Sequence, residues 1–92
     1  MSKEIQAISI KQDGTVTKVN PSNGDYFSLD ELQAFVGGYI EVIHVVGDLL
    51  MIVNEEGKLH NQGINSVANL FYLNPYENIV GDVVLINKNQ LD

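Results

Sequence analysis

The stretch that decides the fold covers residues 39–53 and reads YIEVIHVVGDLLMIV. β-Branched and other apolar residues fill both halves of it, and residues of this kind favour strands. Between the halves stands Gly47-Asp48, a two-residue turn that reverses a chain into an antiparallel hairpin. The stretch therefore predicts strands over 39–46 and 49–53. Because their apolar character is nearly unbroken, we expect central strands that are covered on much of both faces.

The residues before this hairpin predict another hairpin and a helix. An apolar-rich stretch at 5–11 and a returning strand at 16–19 flank Asp13-Gly14, a pair typical of a tight hairpin turn. Ser28 and Glu31 form a capping-box pattern, in which each side chain can accept a backbone amide at the start of a helix. Apolar residues at helical spacing follow, and Gly37-Gly38 is expected to end this helix.

The residues after the hairpin complete the predicted order. A polar segment, 54–65, precedes a short helix over 66–73 that Pro75 ends. A buried strand over 79–86 carries Gly81-Asp82, where a bulge or a close backbone approach is expected. The pattern predicts an α+β fold in one domain, 1–92. Its small, mostly antiparallel sheet of about five strands has the order β-β-α-β-β-α-β, with short helices packed against one side.

Composition excludes several classes of function. The chain has no cysteine, five lysines, no arginine and a formal charge of −7. Disulfides, thiolate metal sites and bidentate arginine clamps are therefore excluded, and direct binding to nucleic acid is disfavoured. No apolar run reaches the length of a membrane span, and the first residues lack a signal-peptide pattern. We expect a cytoplasmic protein. Its acidic surface meets a basic partner, mimics nucleic acid towards a nucleic-acid-binding protein, or only keeps the protein soluble.

The polar loop after the second strand of the hairpin is the main candidate site. Its amide, carboxylate and ammonium groups can contact a polar ligand, although a solvated structural turn is the simpler interpretation. The spacing of a calcium loop is missing, and no metal site or cofactor is predicted. With an aromatic side chain and a second amide from nearby, the predicted ligand-binding residues are Asn54, Glu55, Glu56, Lys58, His60, Asn65 and Tyr39.

Catalytic chemistry has little support in the sequence. His44 lies among apolar residues, so a core or edge position is expected for it, and two histidines alone make a weak zinc site. Asp82 is expected either to accept amides of the 54–58 loop or to face water. Tyr72 and Tyr76, like Tyr39, can stack on a base or pack at an interface. No catalytic residue is assigned, and the protein is not expected to be an enzyme.

Three blocks in this order and spacing resemble the family called domain of unknown function 3846: residues 36–41 (VGGYIE), 54–58 (NEEGK) and 79–84 (IVGDVV). The resemblance covers about residues 28–86. It implies an accessory protein of phages, plasmids and conjugative elements, located in the host cytoplasm if phage-encoded, and it assigns no activity.

Two functions remain open. One is sequestration of a small, nucleotide-type signal of host defence. The other is an acidic inhibitor or adaptor that binds a host protein. An open sheet edge also predicts a homo-oligomer.

Overall fold

The computed structural model describes residues 7–57, 62–72 and 77–91. Its elements in chain order are β1 (Ala7–Ile10), β2 (Val16–Val19), α1 (Leu29–Val36), β3 (Ile40–Val46), β4 (Leu49–Asn54), α2 (Ser66–Phe71) and β5 (Val83–Asn87), followed by a 3-10 turn at Lys88–Gln90. The strands form one sheet in the order β2-β1-β5-β4-β3, and all neighbours are antiparallel. The α+β class and the predicted element order are confirmed.

The sheet separates two apolar cores. Leu50 and Ile52 of β4 pack in the core that contains α1, whereas Met51 and Val53 pack in the core that contains Ala68 of α2. Successive side chains of a strand point to opposite faces, so an unbroken apolar strand presents two faces to cover. The helices accordingly lie on opposite faces of the sheet. The expectation that both pack against one side was wrong.

β3 is an edge strand, although its composition predicted a central one. Ile40 and Val42 pack against the α1 core, while Val46 keeps 71% of its surface exposed. A register shift between His44 and Val46 bulges the strand near its end. β4 does occupy a central position, as predicted. Composition could not distinguish the edge strand β3 from the interior strand β4, because one well-covered face is enough to make a strand apolar.

The start and end of α1 follow its local sequence. The Ser28 side chain accepts the Glu31 amide, and the Glu31 carboxylate accepts the amides of Ser28 and Ser22 at 3.1 and 3.0 Å. Gly37 ends the helix at φ 82°, and its amide donates to the Gln33 carbonyl. The capping box and the glycine stop are confirmed.

The first hairpin has a longer loop than its Asp-Gly pair predicted. Ile10 is paired with Val16, so five residues separate the paired positions. The Lys11 amide donates to the Thr15 carbonyl, and Asp13 Oδ1 accepts the Thr15 amide at 2.9 Å. This bond to the Thr15 amide holds the pKa of the Asp13 carboxyl below its ordinary value. An aspartate that caps its own loop therefore replaces the tight two-residue turn.

Glu31 makes the stability of the fold depend on pH. The backbone amides of Ser28 and Ser22 hold the pKa of its carboxyl below the ordinary value. A depressed folded-state pKa contributes stability above the unfolded value, about 4.3, and that stability is lost as pH falls through the folded value. We expect Glu31→Gln, which keeps an acceptor for the capping box, to flatten the decline in urea midpoint below pH 5. Asp30→Asn, which changes an exposed neighbour in the same helical turn, should flatten it less. An equal effect of both substitutions would contradict this assignment.

Candidate functional site

A cavity of about 310 Å³ opens on the α2 face of the sheet, beside the β3 edge. Its walls come from β3, the end of β4, the loop that follows β4 and the segment before β5. We call it the acidic cleft, and the residues that carry its chemistry are Glu41, Ile43, Val53, Glu55, Glu56 and Glu77. The alternation of β3 places Glu41 and Ile43 here, since Ile43 is paired with Met51 on the α2 face.

Carboxylates dominate the acidic cleft. Four glutamates line it, three of them exposed and Glu56 half-buried, and the described part of its wall carries no lysine. Exposed charges act over about 8 Å at physiological ionic strength, so neighbouring carboxylates reinforce one another's field. Within residues 7–57, 62–72 and 77–91, no three acidic or histidine side chains lie close enough to hold a metal ion. The arrangement is a negative surface around an apolar floor, not a metal cage.

Asn54 ties the cleft loop to the end of α1. Its Nδ2 donates to the Val36 carbonyl at 3.1 Å, and its Oδ1 accepts the Glu56 amide at 2.7 Å. A Cβ on Gly38 would lie 3.0 Å from that Nδ2, so glycine allows the close approach. The Glu55 amide also donates to the Tyr39 carbonyl at 2.9 Å. Two of the sequence blocks, 36–41 and 54–58, are therefore joined by hydrogen bonds.

The third block packs against the same loop. A Cβ on Gly57 would lie 3.0 Å from Val80 and from the Gln62 side chain, so a larger residue here would require those two side chains to shift. Gly81 adopts φ 74°, and a Cβ there would overlap the Gln62 side chain. Its amide donates to the Gly63 carbonyl at 2.8 Å. The expected close approach at Gly81 is confirmed, and it explains why β5 begins only at Val83.

These three blocks meet at one end of the sheet, and residues 5–91 match the family described as a domain of unknown function, DUF3846. The chain belongs to the DUF3846 family. The match extends beyond the blocks at 28–86 to the first hairpin, whose β1 pairs with β5. No curated protein and no solved structure matches the chain. In the part of the chain described by the structure, no helix is long and apolar enough to cross a membrane.

The structure separates the residues predicted to bind a ligand in this DUF3846 chain. Asn54, Glu55 and Glu56 line the acidic cleft. The Nδ2 and Oδ1 atoms of Asn54, however, both make hydrogen bonds within the fold. Tyr39 is 65% exposed and contributes no side chain to the cleft wall. Lys58 and His60 lie outside the described residues.

Asn65 has a structural role in the DUF3846 fold. It is fully buried, and its Nδ2 donates to the carbonyls of Ile10 and Gly81 at 2.9 and 2.8 Å. Its Oδ1 accepts the Ala68 amide at the start of α2. The side chain is out of reach of a ligand in this structure.

The other singled-out residues lie away from the cleft. His44 is an exposed edge histidine, in agreement with one of its two expected positions. Asp82 accepts the Gln12 amide at 2.9 Å, so among the described residues it holds the first hairpin and not residues 54–57. It borders a second cavity of about 270 Å³ together with Gln12 and Gln62. Tyr72 packs in the α2 core, and Tyr76 is outside the described residues.

Sequence reasoning missed Glu41 and Glu77 as cleft residues. Glu41 interrupts a mostly apolar strand, and a charged residue at such a position is a usable signal for a functional face. Glu77 offered no comparable signal, because it reaches the cleft only through the path of the chain between α2 and β5.

Proposed function

We propose that this DUF3846 protein is a non-enzymatic binding module that takes up a positively charged segment of a partner protein in its acidic cleft. The observation that carries the proposal is the set of four glutamates around one cavity, with Ile43 and Val53 as apolar floor. Such a wall favours a lysine or arginine side chain, whose stem packs on apolar residues while its charged end meets carboxylates. The resemblance to the family adds the proposed setting, an inhibitor or adaptor of a phage or plasmid that acts on a host protein.

The alternative of a nucleotide-type ligand receives less support from the geometry. A phosphate in the cleft would face Glu41, Glu55 and Glu77, and like charges repel at this range. Asn65, one of the residues that the sequence predicted for such a ligand, is buried, and its side-chain amide makes hydrogen bonds within the fold. Nucleotides therefore enter the test as a competing ligand class.

Binding without catalysis also fits the chemistry of the cleft wall. Its described residues include no histidine, serine or threonine, the groups that most often act as base or nucleophile beside a carboxylate. Glutamates placed around an apolar floor attract a cation. The wall therefore supports recognition of a positive charge.

Titration with a fluorescent hexalysine peptide at low salt tests the proposal. We expect Glu41→Gln/Glu55→Gln to weaken binding about two- to thirtyfold, since each of the two exposed ion pairs contributes about 0.2–1 kcal/mol. The matched control is Asp25→Asn/Asp30→Asn, which removes the same charge from exposed positions outside the cleft. The control should change the Kd less than twofold.

Equal weakening by the two double variants would show that only net charge matters, and would overturn the cleft as the site. Isothermal titration calorimetry compares the ligand classes. Binding heat with cyclic nucleotides or ADP-ribose, and none with the peptide, would replace the proposal with nucleotide sequestration.

A further inference from the structure

The β3 edge presents a row of outward-pointing backbone groups with which another strand can pair. The Glu55 amide donates to the Tyr39 carbonyl, and the register places Ile40 opposite Asn54. Hydrogen-bonded and non-hydrogen-bonded pairs alternate along an antiparallel ladder. It follows that Glu41 and Ile43 bond to β4, whereas the backbone N–H and C=O groups of Ile40, Val42 and His44 point away from the sheet. No strand among residues 7–57, 62–72 and 77–91 covers this side.

The same strand forms one wall of the acidic cleft. Glu41 and Ile43 face the cleft, so a strand added beside β3 would direct every second side chain towards it. Residues opposite Glu41 and Ile43 would form non-hydrogen-bonded pairs, in which side chains are closest, about 4.5–5.5 Å between Cβ atoms. A lysine or arginine opposite Glu41 is then within reach of its carboxylate. Backbone pairing and charge recognition coincide on one edge.

We propose that an extended basic segment of the partner protein adds to β3 as a sixth, antiparallel strand, with its cationic side chains in the acidic cleft. This inference rests on the proposed function and specifies how the partner is held. The register shift after His44 limits the pairing to Ile40–His44, because a bulge turns the edge away. The segment therefore needs about five residues, with a cation and a second side chain two positions apart on the cleft face.

A second copy of this chain fits the edge less well than a basic segment does. β3 contains Glu41 and no lysine, and each chain carries a formal charge of −7, so two copies repel. The opposite edge, β2, has four residues, is mostly exposed and carries Lys18, a residue that protects edges from pairing. Charge complementarity therefore favours a cationic segment, and not a second copy of the chain, as the partner of the β3 edge.

A labelled alternating peptide, (Thr-Lys)5, tests whether a strand pairs with β3. Forms of the peptide with different backbone amides methylated are compared for binding. With its lysines on the cleft face, antiparallel addition directs the threonine amides at β3 and the lysine amides away from it. We expect N-methylation of the threonine amides to weaken binding about tenfold or more, and N-methylation of the lysine amides to change it little. In the protein, the amides of Ile40, Val42 and His44 should gain protection from hydrogen exchange.

A matched pair of proline variants tests the same edge from the protein side. Val42→Pro removes an outward amide of β3, whereas Val16→Pro makes the same exchange at the outer edge of β2. Only Val42→Pro should reduce peptide binding, and circular dichroism checks that both variants fold. If Val42→Pro does not fold, the methylated peptides decide alone.

Each other outcome contradicts the inference in its own way. If both methylated peptides bind like the parent, strand addition is wrong, while the cleft proposal stands as long as Glu41→Gln/Glu55→Gln still weakens hexalysine. Loss only with lysine methylation would show parallel pairing and reject the antiparallel register. A wild-type dimer that Val42→Pro makes monomeric would assign the edge to a second copy. If no cationic peptide binds at all, the proposed function fails with it.

Discussion

Phe27→Ala is expected to lower the free energy of unfolding by about 3–5 kcal/mol, the usual cost of removing a large aromatic side chain from a core. Phe27 is fully buried in the α1 core and meets Phe35 edge to face, with ring centroids 6.0 Å apart. A chain of this size has a stability of about 5–14 kcal/mol, so this one substitution removes a large share of it. Urea denaturation followed by circular dichroism measures the loss.

The neighbouring tyrosine supplies the control. Tyr26 keeps 40% of its surface exposed, and we expect Tyr26→Ala to cost about 1 kcal/mol or less. Phe27→Leu retains most of the buried volume and should fall between the two alanine variants. Similar urea midpoints for Phe27→Ala and Tyr26→Ala would show that Phe27 does not anchor this core.

Asn65→Ala is the second substitution with a large expected effect, about 3–4 kcal/mol. It leaves the carbonyls of Ile10 and Gly81 without their donor, and an unsatisfied buried group costs about 1–3 kcal/mol. It also removes the cap of α2, worth about 1 kcal/mol, because Asn65 Oδ1 accepts the Ala68 amide. Asn65 is fully buried, so bulk solvent does not reach these groups in the wild-type fold.

Two comparisons define the source of that loss. Asn78→Ala changes an exposed asparagine on the same side of the sheet and should stay within about 0.5 kcal/mol of wild type. Asn65→Asp keeps the acceptor for Ala68 but loses the donors, so it should recover little stability. A wild-type urea midpoint for Asn65→Ala would refute the structural role and reopen Asn65 as a ligand contact.

Local chemistry made much of the fold predictable. The capping box of Ser28 and Glu31, the glycine stop at Gly37 and the Gly47-Asp48 turn each act over a few residues, so their sequence is sufficient to identify them. Phe27 carried an overlooked local signal. It stands before the helix cap and shares a core with Leu32, the pattern of a hydrophobic staple. The sequence had predicted only the capping residues there.

The candidate site was predictable only in part. Asn54, Glu55 and Glu56 were identified because a polar loop directly after an apolar strand is a common place for function. Asn65 had the composition of a ligand residue, yet its bonds to Ile10 and Gly81 span 55 and 16 positions of the chain. Contacts at such separations leave no periodic pattern, so the sequence could not distinguish an exposed amide from a buried one.

By itself, the sequence determined the α+β class, the order of the strands and helices, and the acidic, arginine-free character that disfavours phosphate ligands. These properties depend on composition and on periodicity within one element. Only the tertiary structure decided that the helices cover opposite faces, that β3 is an edge, and that Glu41 and Glu77 join the cleft loop. Those features depend on which strands pair across the chain, and pairing is set by long-range packing that no single segment encodes.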